Sequence, residues 1–246
     1  MTSYKFGKHE AVEDVRTLKF SNYLTKALPS PPVAFNNLTE VFDNLKEYSP
    51  SVLFPIDGND LHGNCTICAV AHATTLYSGL INKKIISTVK EVLSVYNKLT
   101  GGQDTGLNVL KVLNYWKKNQ FSGNNILCYT KINPKNHDHV KLAVRHFGGV
   151  YVGFNVQKDC MTDFNIKKTW TPGPLLNEGH AVYCSGYDIS TVDLLTWGTV
   201  QKGTWGWWDA CVDEAYAILP LQATDPSFCP GFKFSELLVD LKQVSN

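Results

Sequence analysis

From Cys65 to about Leu80 the chain is Ala-rich and apolar around most of its circumference. A helix without a polar stripe has no face to offer water, so other parts of the chain must enclose it. That segment demands a sizeable core, and a chain of 246 residues with 43% hydrophobic content can supply one. The length suits one domain or two closely packed halves.

Around this helix the periodicity changes along the chain. A short helix is expected near 38–47, and two more near 87–99 and 105–118. In the last of these Leu107, Leu110, Val112, Leu113 and Trp116 recur at helical spacing. His139 to Phe147 reads as a short helix closed by Gly148-Gly149. Beyond it, runs at 150–156, 180–187, 192–197 and 215–219 are rich in β-branched and aromatic residues and read as strands. The expected class is α+β, with a helical lobe over about 51–138 and a β lobe over about 139–246. Residues 1–50 are polar and mixed, and the prolines of Leu28-Pro-Ser-Pro-Pro32 force an extended path. This segment is expected as an arm packed on or over the domain 51–246; nothing in its sequence demands that it occlude a cleft.

Charge excludes some functions. Lys and Arg total 23 against 22 Asp and Glu, and no local basic run stands out, so a nucleic-acid partner is not expected. No window approaches the ~18–20 apolar residues of a membrane span, and the N-terminal stretch has no signal-peptide core. A soluble protein, cytoplasmic or virion-associated, is the expectation. The 7 cysteines are scattered and odd in number, unlike a disulfide framework.

Three segments carry chemistry. In Gly58-Asn-Asp-Leu-His-Gly-Asn-Cys65 a glycine-rich loop delivers a thiol to the first turn of the buried helix. Unpaired N–H groups and the helix dipole there favour an anion, lowering the thiol's pKa, and with the Asn59 amide they suit an oxyanion. In Glu178-Gly-His180-Ala-Val, His180 opens an apolar strand, where an imidazole can serve a thiol nucleophile. In Leu194-Leu-Thr-Trp197-Gly198, a group on the strand can orient that ring while Trp197 shields it from water. Read singly, each has a plainer meaning: a core cysteine, a half-exposed strand residue, a packing aromatic.

Taken in order, these segments resemble a papain-like cysteine peptidase, and more narrowly divergent bacterial and phage-type members with a Gly-Asn-Asp-x-x-Gly-Asn-Cys loop. Asn59 stands six residues before Cys65, where the family has glutamine, and Gly63 stands two before it. His180-Ala-Val with Gly186-Tyr187 matches the family's histidine strand, 115 residues after Cys65, and Trp197-Gly198 with Trp205-Gly206 echoes its tryptophan segment. Thr100-Gly-Gly-Gln-Asp-Thr-Gly106 sits where the family has its substrate-facing turn. The resemblance implies a two-lobed papain-like fold with an antiparallel, barrel-like β lobe. It also implies a hydrolase or acyltransferase acting on an amide bond of a peptide or peptide-like substrate, without a cofactor or metal. Cys65, His180, Asn59 and Thr196 would be catalytic, and Gly63, Asp104, Gly106 and Trp197 would bind substrate.

Departures accompany the match. Leu195 occupies the position of the family's orienting asparagine, and Thr196, one residue along, is expected to point to the opposite face of a strand. Thr66 replaces the tryptophan after the nucleophile. Three other readings stay open. Cys68 is the nucleophile in a shifted register that puts His62 at the oxyanion position. Cys65, Cys68 and His72, on one helix face, form part of a zinc site. Or the chain is an inactive binding protein on the same scaffold.

Overall fold

The computed structural model describes residues 4–221 and 229–244, so both the expected arm and the expected domain extend beyond the described residues. In chain order the elements are β1 (Phe35–Asn36), α1 (Asn37–Asn44), α2 (Pro50–Leu53), α3 (Cys65–Leu80), α4 (Val89–Thr100) and α5 (Val109–Lys118). They continue with β2 (Ile126–Ile132), α6 (His137–Phe147), β3 (Val150–Gln157), α7 (Cys160–Asn165), β4 (Leu175–Tyr187) and β5 (Thr191–Thr196). The last are β6 (Thr199–Thr204), α8 (Trp205–Cys211), β7 (Val212–Pro220) and α9 (Phe234–Val244).

Caps set the helix starts a little later than apolar spacing suggests. Thr88 and Glu91 close a capping box on α4, and Gly101 ends that helix in the left-handed region. The Asn108 side chain accepts from the Leu110 and Lys111 N–H groups and so opens α5. Gly148, at φ 73°, terminates α6 as the sequence suggests.

The strands form one antiparallel sheet in the order β2-β7-β3-β4-β5-β6, with β1 added on β4. Both faces of its centre are covered. Tyr151, Tyr183, Leu195, Tyr216 and Ile218 point into the cluster built around α3. Val150, Val152, Phe154, Val182, Leu194 and Ala217 point into a second cluster with Trp170 and Trp207. This double burial is why 150–156 reads as an unbroken apolar run.

β2 lies in the stretch read as helical, yet it pairs with β7 at the sheet edge. Its side chains alternate between buried and half-buried, as those of a strand do, so the helical reading of that half does not hold for residues 126–132. Residues 35–45 are likewise built into the domain: β1 pairs with β4, and Leu38, Val41 and Leu45 are buried against α3. β5 ends at Thr196 rather than 197, because Trp197 and Gly198, at φ 45° and 80°, form the two-residue turn into β6. The result is α+β: helices α3 to α5 on one side of an antiparallel sheet, and the aromatic cluster on the other.

Candidate active site

Cys65 begins α3, and the loop before it is wound by two successive left-handed residues, Asp57 (φ 57°) and Gly58 (φ 79°). The N-cap residue Asn64 makes no side-chain cap; its amide donates instead to the Asp57 carbonyl, 2.8 Å away, and ties the loop shut. The first turn of α3 thus keeps its N–H groups uncapped by a side chain, with the thiol beside them.

His180 is fully buried on β4. Its Nε2 lies 2.9 Å from Thr196 Oγ1, and the indole of Trp197 stacks on the ring at 4.4 Å between centroids. Phe154 meets the ring edge-on at 5.5 Å. Among the described residues Nδ1 has no hydrogen-bond partner. With Thr196 accepting from Nε2–H, Nδ1 is the nitrogen left basic. Strand alternation explains the offset from the expected position: Leu195 turns into the α3 cluster, and Thr196 faces the histidine. The expectation that Thr196 would point away from His180 is corrected by this placement.

Asn59 links loop and turn. Its Oδ1 accepts from Trp197 Nε1 at 2.7 Å, and its Nδ2 donates to the Lys5 and His62 carbonyls at 3.0 and 2.9 Å. Asp104 Oδ1 accepts from the Gly63 N–H at 2.8 Å and from Tyr96 Oη at 2.7 Å, and Tyr96 Oη in turn accepts from the Gly106 N–H. Burial opposes the Asp104 charge, but these hydrogen bonds, with His62 and Lys5, hold its carboxyl below the usual range.

The N-terminal arm fills the groove between these parts, which sequence reasoning did not resolve. Lys5 N–H donates to the Asn59 carbonyl, and the Gly7 and Lys8 N–H groups both donate to the Gly179 carbonyl, just before His180. On the other wall Leu107 N–H donates to the Gly7 carbonyl and His9 N–H to the Leu107 carbonyl. Phe6 packs edge-on against His180 at 5.7 Å. Contact is so close that a Cβ on Gly7 would lie 1.9 Å from the Gly63 oxygen, and one on Gly106 would lie 2.3 Å from the Gly7 oxygen. The only sequence signal was a single glycine in a polar arm.

Electrostatics follow from this enclosure. Burial pushes the Cys65 thiol up to about 11, against the opposing pull of the Ala181, Gly7 and Thr66 backbone groups and the Lys8 charge. The lowered thiol expected at a helix N-terminus is therefore not what this closed form has, because desolvation outweighs the helix end. Burial, with a smaller contribution from the nearby His72, pushes His180 down to about 3. Both groups are neutral near pH 7.

The other readings gain less from the geometry. Cys68 lies a turn further along α3, its Sγ 3.8 Å from the Ile56 and Asp57 carbonyls. His72 Nε2 sits 2.9 Å from the Pro55 carbonyl. Among the described residues no group of three or more His, Cys, Asp or Glu is arranged to hold a metal ion.

Replacing Thr196 by valine tests the ring contact at nearly constant shape. The variant is expected to lose about 1–3 kcal/mol of stability, because Nε2 is left buried without its partner. Urea unfolding measures this, and a loss below experimental error would show that the contact does not hold the ring.

No family model matches the chain, and no curated protein matches it. Among solved structures it is similar to xylellain, a cysteine protease from Xylella fastidiosa. The TM-score is 0.66 at 15% identity, over 89% of this chain and 97% of that one. It is also similar to the cysteine protease and lectin-like domains of Cwp84, a surface layer associated protein of Clostridium difficile. There the TM-score is 0.57 at 16% identity, over 88% of this chain and 56% of that one. The Carica candamarcensis cysteine protease CMS1MS2, solved with E-64, matches at TM-score 0.53 and 13% identity, over 77% of this chain and 99% of that one. With its α3-centred helical side packed on an antiparallel sheet, this chain has the papain-like fold.

Proposed function

We propose that this protein is a cysteine peptidase or related amide-bond acyltransferase, held latent by residues 4–9. The observation that carries the reading is His180, hydrogen-bonded to Thr196 and stacked under Trp197, on a strand whose next residue, Ala181, has its backbone at the Cys65 thiol. In the open form His180 Nδ1 takes the thiol proton, and the thiolate adds to a substrate carbonyl carbon. The oxyanion is received by the Cys65 N–H and by the Asn59 amide, whose proton on the Lys5 carbonyl is freed when the arm leaves. Collapse breaks the C–N bond as His180 returns its proton to the leaving amine, and a thioester remains. Water then hydrolyses the thioester, or an acceptor amine takes the acyl group. Gly63, Asp104 and Gly106 shape one wall of the groove that a peptide would enter once the arm has left.

Iodoacetamide labelling mapped by mass spectrometry tests this at about pH 6, where an ordinary thiol is almost wholly protonated. In protein whose arm has been displaced, selective labelling of Cys65 is expected. That labelling is expected to fall at least about tenfold in the same background carrying His180→Ala, because the imidazolium partner is gone. Labelling at Cys68 instead would support the shifted register. An arm-displaced protein whose cysteines all stay inert would be an inactive binding protein on this scaffold, and the proposal would fail.

A further inference from the structure

The arm also places a lysine where the groove has no other reason to be acidic. The Lys8 side chain is fully buried, its Nζ 2.8 Å from Asp213 Oδ2 and 3.4 Å from Glu214 Oε1. Both carboxylates come from β7. Glu214 is itself fully buried and takes one further hydrogen bond, from Tyr216 Oη at 3.0 Å. The channel exists because residue 153 has no side chain. A Cβ there would lie 2.3 Å from Lys8 Cε and 2.6 Å from Glu214 Cγ. Gly179 opens the same path on the next strand, where a Cβ would meet the Lys8 carbonyl at 2.4 Å.

This pocket adjoins the nucleophile. Gly7, the neighbour of Lys8, has its backbone within reach of the Cys65 thiol. The main chain of residues 7–9 is held on both walls, by Gly179 and by Leu107, through groups any extended peptide offers. Removing Lys8 leaves two adjacent acidic groups, Glu214 without solvent and with its pKa raised by burial, and among the described residues no other cation lies within salt-bridge distance of either. A buried charge is tolerated only when paired, so the open groove calls for a cation in this place.

We infer that the cavity occupied by Lys8 is a substrate subsite in which Asp213 and Glu214 select a lysine or arginine side chain close to the scissile amide. This rests on the peptidase reading and names its substrate class: peptides with a basic residue at that subsite. Lys8 then works as an internal pseudo-substrate side chain, with the Gly7 backbone lying against the thiol.

The test uses full-length protein carrying Gly7→Val, in which the arm cannot seat. Peptidyl chloromethyl ketones with Lys, Arg, Leu or Glu at the first or second residue from the warhead are reacted with it. Modification of Cys65 is followed by mass spectrometry, alongside cleavage of matching fluorogenic peptides. Lys and Arg probes are expected to react about tenfold faster than Leu, and Glu probes slowest, given opposite and like charge at a desolvated site. Glu214→Gln in that background is expected to collapse the preference to about threefold or less; Asp213→Asn, at a partly exposed position, serves if that variant does not fold. A preference for Leu, or a basic preference unchanged in both variants, would make the pocket a lock for the arm alone and overturn the inference. If basic probes label Cys65 selectively but no peptide is cleaved, the peptidase reading fails while the subsite stands. If no probe labels Cys65, both fail.

Discussion

Alkylation of Cys65 near pH 7 is expected to rise by about a hundredfold when Gly7 is replaced by valine. The cause is steric first. A side chain at position 7 would sit 1.9 Å from the Gly63 oxygen and 2.6 Å from its Cα, and this obstacle is backbone, which cannot turn aside as a side chain can. The arm must therefore leave the groove, taking with it the Lys8 pair and the hydrogen bonds to Gly179 and Leu107. Chemistry follows. Burial holds the thiol at about 11, and returning water to it by itself brings the pKa back toward 9.0, two units lower, before any further fall from pairing with His180. Two units are a hundredfold in thiolate at fixed pH, and better access adds to that. The measurement is the second-order rate with iodoacetamide, with circular dichroism as a check on folding. A folded Gly7→Val protein that reacts no faster than wild type would show that residues 4–9 are not what silences the thiol.

Trp197→Ala is expected to cost about 3–5 kcal/mol and to return His180 to ordinary titration. Trp197 is buried, stacks on His180, packs against Tyr4 and Phe164, and donates from its indole to Asn59. Removing it opens a large cavity and lets water reach the imidazole. Burial is the main reason that His180 lies at about 3, so hydration moves its pKa up toward 6.5. The sign for stability follows from linkage. A histidine depressed in the folded state takes up a proton on unfolding, so its neutral form contributes stability above about pH 6.5 that is lost as pH falls toward about 3. In Trp197→Ala that acid-dependent loss shrinks, since the folded and unfolded values converge. NMR titration of His180, with unfolding measured at pH 7 and pH 5, reads both effects. A His180 that still titrates near 3 in the variant would mean that Phe154 and Phe6 alone keep the ring dry.

The parts of the site that were legible in sequence are those whose chemistry is local. An all-round apolar helix with a glycine-rich loop before it must bury its first turn, and Cys65 is the residue that turn carries. His180 reads as opening its strand, whereas β4 begins five residues earlier, at Leu175, in an exposed stretch that composition does not mark; the strand before Trp197-Gly198 ends at Thr196, one residue short of the end its composition suggests. Thr196 was named as the orienting group, but its facing was misjudged. Side-chain facing depends on register, and register depends on a partner strand that single-sequence periodicity does not identify. β2 was missed for a related reason: a half-buried edge strand carries a weak pattern of its own and is stabilised by β7.

The arm shows the division most sharply. Its composition sets it apart from the core, and its prolines make it extended, both of which follow from residue chemistry. Where it lies was decided by the tertiary structure. The slot that receives Gly7 exists only once Gly63, Gly106 and Gly179 are brought together, and the cavity for Lys8 exists only once Gly153 faces Glu214. The thiol's state was decided there too. In sequence Cys65 stands at a helix end that favours an anion; in the fold the arm removes the water that an anion needs, and desolvation prevails over the dipole. Local sequence determined which groups could react, and long-range packing determined that, in this closed form, they are held neutral and covered.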